Sequence, residues 1–164
     1  MDYDQKGPAK FKGTGAFHTT DALFDTCTTW DVQIELAGGL PMHFMSDNHA
    51  QPIVKTYRDK WQADRTTFFG SKGWISLIRG AAYASNPEWL RMKQSEGDRR
   101  VVHHKNYYQA FENSVRSDAL SHLSLLAIKS GSEVVWDPAA YRIQSPEALN
   151  AAMSHEIRAP WKQS

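Results

Sequence analysis

"TTWDVQIELAGGLPMHFMS", residues 28 to 46, decides the fold class of this chain. Apolar and polar residues alternate on both sides of Gly38-Gly39, the period-two pattern of two strands joined by a turn. The length of the turn sets the register. A two-residue Gly-Gly loop would place Leu40, Met42 and Phe44 on the face of Gln33 and Glu35. A three-residue loop, Ala37 to Gly39, instead pairs Leu36 with Leu40, Ile34 with Met42 and Val32 with Phe44. The three-residue loop is the expectation, with Gly39 at positive φ.

Downstream, "RTTFFGSKGWISLIRG" predicts a second hairpin, in which Gly70 and Gly73 bracket Ser71-Lys72 and Phe69 faces Trp74. Between the hairpins, Ile53, Tyr57 and Trp61 recur at spacings of four and predict a short amphipathic helix after Pro52. "AAYASNPEWLRMKQSEGDRRVV" has no sustained period and reads as irregular, with a strand or two. From Asn106 the pattern turns helical. Ser114 is placed to cap "VRSDALSHLSLLAIKS", with Val115, Ala119, Leu123, Leu126 and Ala127 on one face and Gly131 as the stop. Glu133 to Trp136 then reads as a short buried strand. Pro138 keeps Asp137 from continuing a helix, so the Trp-Asp-Pro step is punctuation rather than a catalytic carboxylate. Ser145-Pro146-Glu147 reads as N-cap, N1 and N2 of a last helix ending near Ile157. Strands first and helices late give an α+β class, with an open, mainly antiparallel sheet and helices on one face.

The 164 residues suit one domain with one core. A hydrophobic fraction of 41% against 23% charged residues places the chain among globular proteins. A net charge of +1 is too small for the field that a nucleic-acid partner requires. Cys27 is the one cysteine, which excludes an intrachain disulfide and a Cys-rich metal site and leaves the compartment open. The polar start, residues 1 to 13, has no apolar run to target a membrane and reads as a linker or a severed connection. No internal repeat is visible.

Known catalytic signatures do not account for the chain. Gly13-Thr14-Gly15 lacks the third glycine of a dinucleotide fingerprint, and no Walker loop, Gly-x-Ser-x-Gly elbow or His-Glu-x-x-His helix occurs. His18, Asp21 and Asp25 sit at spacings of three and four, close enough on a helical turn to share an ion, although a polar loop ahead of the first strand explains them as well. His103 and His104 are adjacent, so in a strand they point to opposite faces. His122 is expected to border the core, and His155-Glu156 to lie near the end of the last helix. The six tryptophans suit either sugar stacking or core packing. Asp31, Gln33, Glu35 and His43 give the first hairpin one polar face, which could oppose a partner subunit.

Four separated stretches carry a family likeness: "LFDTCTTWDVQIELAGGLPMHFM", "FFGSKGWISL", "SVRSDALSHLSLLAIKSGSEVVWDP" and "SPEALNAAMSHEIRAPW". Together they resemble the C-terminal domain of bacterial Gfo/Idh/MocA-type oxidoreductases, from about Thr14 to Trp161. The resemblance implies an open antiparallel sheet that shapes a substrate pocket and makes homo-oligomer contacts. In such proteins an N-terminal Rossmann domain holds NAD or NADP and acts on a sugar or cyclitol. That family's glycine fingerprint, catalytic Glu-Lys-Pro and Asp/His pair have no counterpart in residues 1 to 164, so the catalytic half is expected upstream of Met1. A longer segment is usual in the family between the Phe111 and Ser114 positions. Candidate substrate-facing residues, by type and position, are His18, Asp21, Asp31 and His43. This chain itself is expected to hold neither cofactor nor metal. The alternatives are a stand-alone structural or carbohydrate-binding module, and a small metal enzyme centred on His18, Asp21 and Asp25.

Overall fold

The structure is a computed structural model that describes residues 6–18, 26–59, 61, 65–93, 95–97 and 107–154. The chain divides into two compact units, residues 1–50 with 106–164, and residues 51–105.

The first unit is built on a five-stranded antiparallel sheet in the order β3-β2-β1-β7-β8. Its strands are β1 (Ala9–Phe17), β2 (Cys27–Leu36), β3 (Leu40–Met45), β7 (Val134–Asp137) and β8 (Arg142–Ser145). Strand β1 is central, pairing with β2 on one side and β7 on the other. Residues 9 to 13 therefore belong to the middle of the sheet, not to a linker. Their polar look has a simple cause: Lys10, Lys12 and Thr14 face outward, while Ala9 and Phe11 point into the core. The β2-β3 hairpin has the expected three-residue turn, pairing Leu36 with Leu40, Ile34 with Met42 and Val32 with Phe44. Gly38 and Gly39 both take positive φ, 77° and 75°, which glycine alone tolerates without strain.

One face of this sheet is covered by α2 (Tyr107–Ser130). Phe11, Val32, Ile34, Val134, Trp136 and Ile143 from the strands meet Leu123 and Ala127 from the helix. Truncating such a fully buried leucine typically costs about 2–5 kcal/mol. The helix can lie close because β1 carries Gly15: a Cβ there would sit 2.8 Å from the Thr29 carbonyl and 3.0 Å from Ile128. The helix starts well before Ser114, which is an exposed interior residue rather than a cap. It runs unbroken from Phe111 through Ser114. Among the described residues the helix's core contacts run from Leu120 to Ile128, and Val115 is 45% exposed instead of buried. His122 also lies on the solvent side, 3.1 Å from Asp118 one turn earlier. Gly131 ends the helix in the left-handed conformation, at φ 63°.

Asp137 is punctuation, as the sequence implied. Its Oδ1 accepts the main-chain N–H groups of Ala139 (2.9 Å) and Ala140 (3.1 Å), closing the β7-β8 turn. The terminal helix expected from Ser145 begins differently. Ser145 still belongs to β8, and a 3-10 helix follows from Glu147 to Met153. That strand escaped the sequence pattern because Ile143 is its one apolar side chain. Asn150 folds back onto it, accepting from Ile143 N–H at 2.8 Å and donating to Ile143 C=O at 2.7 Å. A side-chain amide thus completes the outer edge of β8 as another strand would.

The second unit centres on an antiparallel sheet of β4 (Arg65–Gly70), β5 (Gly73–Ile78) and β6 (Ala81–Ala84). Phe69 faces Trp74 and Gly70 faces Gly73 across the expected turn. Tyr57 packs on both aromatics, with centroids 5.1 Å away in each case, and its hydroxyl lies 3.3 Å from Thr67. Thr67 in turn donates to the fully buried Ser76. The helix expected after Pro52 is α1 (Asp47–Lys55), which includes Pro52 and ends before Tyr57. The Ser46 carbonyl opens it by accepting from His49 and Ala50. In the region read as irregular, β6 is followed by a 3-10 helix from Pro87 to Arg91, capped by Asn86.

Candidate functional site

Alternation along the strands gives the first unit's sheet two unlike faces. The helix-covered face is apolar. The outer face carries Lys10, Lys12 and Thr14 from β1 opposite Glu35, Gln33 and Asp31 from β2, and next to them Pro41, His43 and Met45 from β3. It is an exposed polar surface that spans three strands, and its most organised part lies at Asp31.

Asp31 and His43 are diagonal neighbours across the β2-β3 ladder, since Asp31 opposes Met45 and Gln33 opposes His43. Their side chains meet with His43 Nε2 2.5 Å from Asp31 Oδ1. An ionised carboxylate only accepts, so the proton between them sits on Nε2, and a neutral ring keeps its Nδ1 lone pair for another partner. The second carboxylate oxygen faces His49, whose Nδ1 is 3.9 Å away. His49 arrives by a different route. Ser46 joins β3 to α1: its hydroxyl accepts the Trp30 N–H and its own N–H donates to the Trp30 carbonyl. The helix therefore starts beside Asp31, and its first turn delivers His49. All three side chains remain between 36% and 43% exposed, so a ligand can reach them.

At the far end of the same face Lys10 Nζ donates to Glu35 Oε1 at 2.9 Å. The hydrogen bond and charge of Glu35 hold the Lys10 ammonium above its usual range. Lys12 and Gln33 lie between the two pairs, both exposed. Carboxylates, amide, ammonium and imidazoles spaced along one face of the sheet suit a ligand with several hydroxyl groups, which both donates and accepts.

Of the residues expected to face substrate, the structure brings Asp31 and His43 into contact. His18 follows the end of β1 and is exposed. It lies four residues beyond Thr14, the partner of Asp31, so on the order of 13 Å along the strand. It is therefore not part of this cluster. Asp21 and Asp25 lie outside the described residues, as do His103, His104, His155 and Glu156. His49 was missed because the helix was expected to begin after Pro52; the Ser-Asp-Asn run at 46–48 is the start signal that would have placed it.

Among the described residues no set of three or more His, Cys, Asp or Glu side chains could hold a metal ion, and no helix is long and apolar enough to cross a membrane. Gly13 and Gly15 do not suit a pyrophosphate. Both lie within β1, where a Cβ would come within 2.7 Å of the Asp31 carbonyl or the Cys27 sulfur, so their openness is already taken up by sheet packing. The tryptophans that pair with other rings do so internally: Trp30 with Phe44, Trp136 with Tyr141 and Trp74 with Tyr57. Comparisons with protein-family models, with curated proteins and with solved structures found no match to this chain.

Proposed function

We propose that this chain is the C-terminal substrate-binding and oligomerisation domain of an NAD(P)-dependent oxidoreductase of the Gfo/Idh/MocA type, acting on a sugar or cyclitol. The observation that supports this reading best is the outer face of the five-stranded sheet. It is polar and exposed, and it centres on a carboxylate that is hydrogen-bonded to one imidazole and close to a second. Asp31 would accept from one hydroxyl of the polyol, while His43, oriented by Asp31, would present Nδ1 to a neighbouring hydroxyl. Lys12 and Gln33 extend the same surface toward Lys10 and Glu35. In this reading the nicotinamide, which supplies hydride transfer when bound, belongs to the Rossmann half of the parent protein. The domain forms one wall of the pocket, and no redox step falls to its own residues.

A direct test is calorimetric titration of the chain with a panel of aldoses, aldonates and inositols, together with NAD and NADP. Binding to one sugar or cyclitol class is expected, weakened about tenfold by Asp31→Asn, the scale of one charge-assisted hydrogen bond. NAD or NADP should give no saturable heat. Tight nicotinamide binding to this chain, or polyol binding indifferent to Asp31, would overturn the reading.

A further inference from the structure

The near-neutral charge of the whole chain hides an uneven distribution. Residues 51–105, the second unit, hold eleven lysines and arginines against five acidic residues, whereas the rest of the chain holds eight against thirteen. The same unit leaves large apolar side chains in water. Phe68 and Phe69 are 59% and 65% exposed, and every residue from Phe68 to Lys72, into the β4-β5 turn, is exposed. The 3-10 helix from Pro87 to Arg91 arrives at this same end of the sheet. Ser85 extends the β5-β6 pairing at Trp74, donating its N–H to the Trp74 carbonyl at 3.0 Å and accepting the Trp74 N–H on its hydroxyl at 3.1 Å. The chain therefore leaves β6 beside the turn, and Trp89 lies where a Cβ on Gly73 would come within 3.0 Å of it. Leu90 and Met92, on the same segment, are exposed. Cations are interleaved with these apolar tips. Lys72 sits in the turn and Lys93 follows Met92, neither with an acidic partner among the described residues, while the nearby Glu88 is already taken by Arg91.

Strand alternation sends Phe68 and Phe69 to opposite faces of the sheet, Phe68 with Ile75 and Phe69 with Trp74. No single flat surface, whether a protein's or a row of stacked bases, can cover both rings at once. A fluid apolar layer can, because it closes round the turn from both sides. We propose that this end of the second unit is a peripheral contact with an anionic bilayer. Phe68, Phe69, Leu90 and Met92 enter the boundary between headgroups and acyl chains, and Lys72 and Lys93 lie at the lipid phosphates. Burial of the apolar tips supplies adhesion, and each lysine beside an anionic surface adds to it. The positive excess of the unit draws it to such a surface before any side chain is inserted. This inference uses the second unit alone and stands whether or not the first unit binds a polyol.

Flotation of the full chain with lipid vesicles tests it, with phosphatidylcholine alone and with phosphatidylcholine mixed equally with phosphatidylserine. The wild type should bind the mixed vesicles about tenfold or more tightly than the neutral ones. Added salt should weaken that binding, an arm that needs no variant. Phe68→Ser should weaken it about tenfold, through lost apolar burial, and Lys72→Ala about fivefold. Both positions are exposed, so neither change disturbs the core. No binding to either vesicle, equal binding to the two, or binding that Phe68→Ser leaves unchanged overturns the proposal. Tighter binding of a single-stranded oligonucleotide than of the mixed vesicles also overturns it, since the cationic end would then serve a nucleic acid.

Discussion

Replacing Asn150 by Ala should destabilise the first unit far more than an exposed-loop substitution would. The Asn150 carboxamide satisfies both main-chain groups of Ile143, at 2.8 and 2.7 Å, and also donates to the Glu147 carbonyl at 2.9 Å. The Ile143 side chain is fully buried, so β8 cannot swing away to rehydrate its edge without opening the core. An orphaned buried donor or acceptor costs about 1–3 kcal/mol. The edge is only part-buried and some water will enter, so the lower half of the range applies to each of the two groups, about 2–4 kcal/mol in total. Urea unfolding followed by tryptophan fluorescence reads this as a lower midpoint at unchanged slope. Asn150→Asp keeps the acceptor for Ile143 N–H and loses the donor, so it should fall between Ala and wild type. A loss below about 0.5 kcal/mol for Asn150→Ala, or equal losses for the two variants, would refute the view that this amide completes the sheet edge.

Two further outcomes follow from the same geometry. Gly15→Ala brings a Cβ within 2.8 Å of a main-chain carbonyl that cannot move without shifting β2, and should cost about 1–3 kcal/mol in urea unfolding; a neutral change would mean that α2 does not lie as close to β1 as described. Asp137 is held below its usual carboxylate range, first by the Ala140 N–H, then by those of Ala139 and by Gln144 and Arg142. A depressed folded-state pKa stabilises above the unfolded value and is lost as pH falls through the folded one. Thermal melts of Asp137→Asn should therefore lie below wild type at neutral pH and converge with it below about pH 4; a gap that widens in acid would contradict the turn-capping role.

What the sequence made legible was local. Both hairpins announced their registers, because strand alternation and paired glycines act over a few residues, and correct pairing of Ile34 with Met42 already places Asp31 diagonal to His43. The central strand β1 hid itself for a physical reason. Its outward residues are lysines and threonine, and two of its inward positions are glycines kept small by close contacts, so Ala9 and Phe11 alone signalled burial. Ser114 looked like a helix start because a solvent-exposed serine costs little inside a helix, and the apolar stripe does not become continuous until Leu120. Pro52 looked like a first helical residue, yet it sits in the sixth position of α1, where its ring forgoes a bond to the Asn48 carbonyl. Asn150 and His49 act on partners set by tertiary structure, and no periodicity in their own segments points to those partners.

The polyol-binding wall proposed on the outer face of the five-stranded sheet can be observed residue by residue. A two-dimensional amide NMR titration of the isotopically labelled chain with the polyol that binds best reports on each strand of that face separately. Saturable shifts are predicted at Lys12, Asp31, Gln33, His43 and His49, reached in Asp31→Asn only at about tenfold higher polyol concentration, with the buried-face residues Phe11 and Leu123 unmoved. Saturable shifts confined to α2 or to the second unit, or none with any sugar or cyclitol, would contradict it.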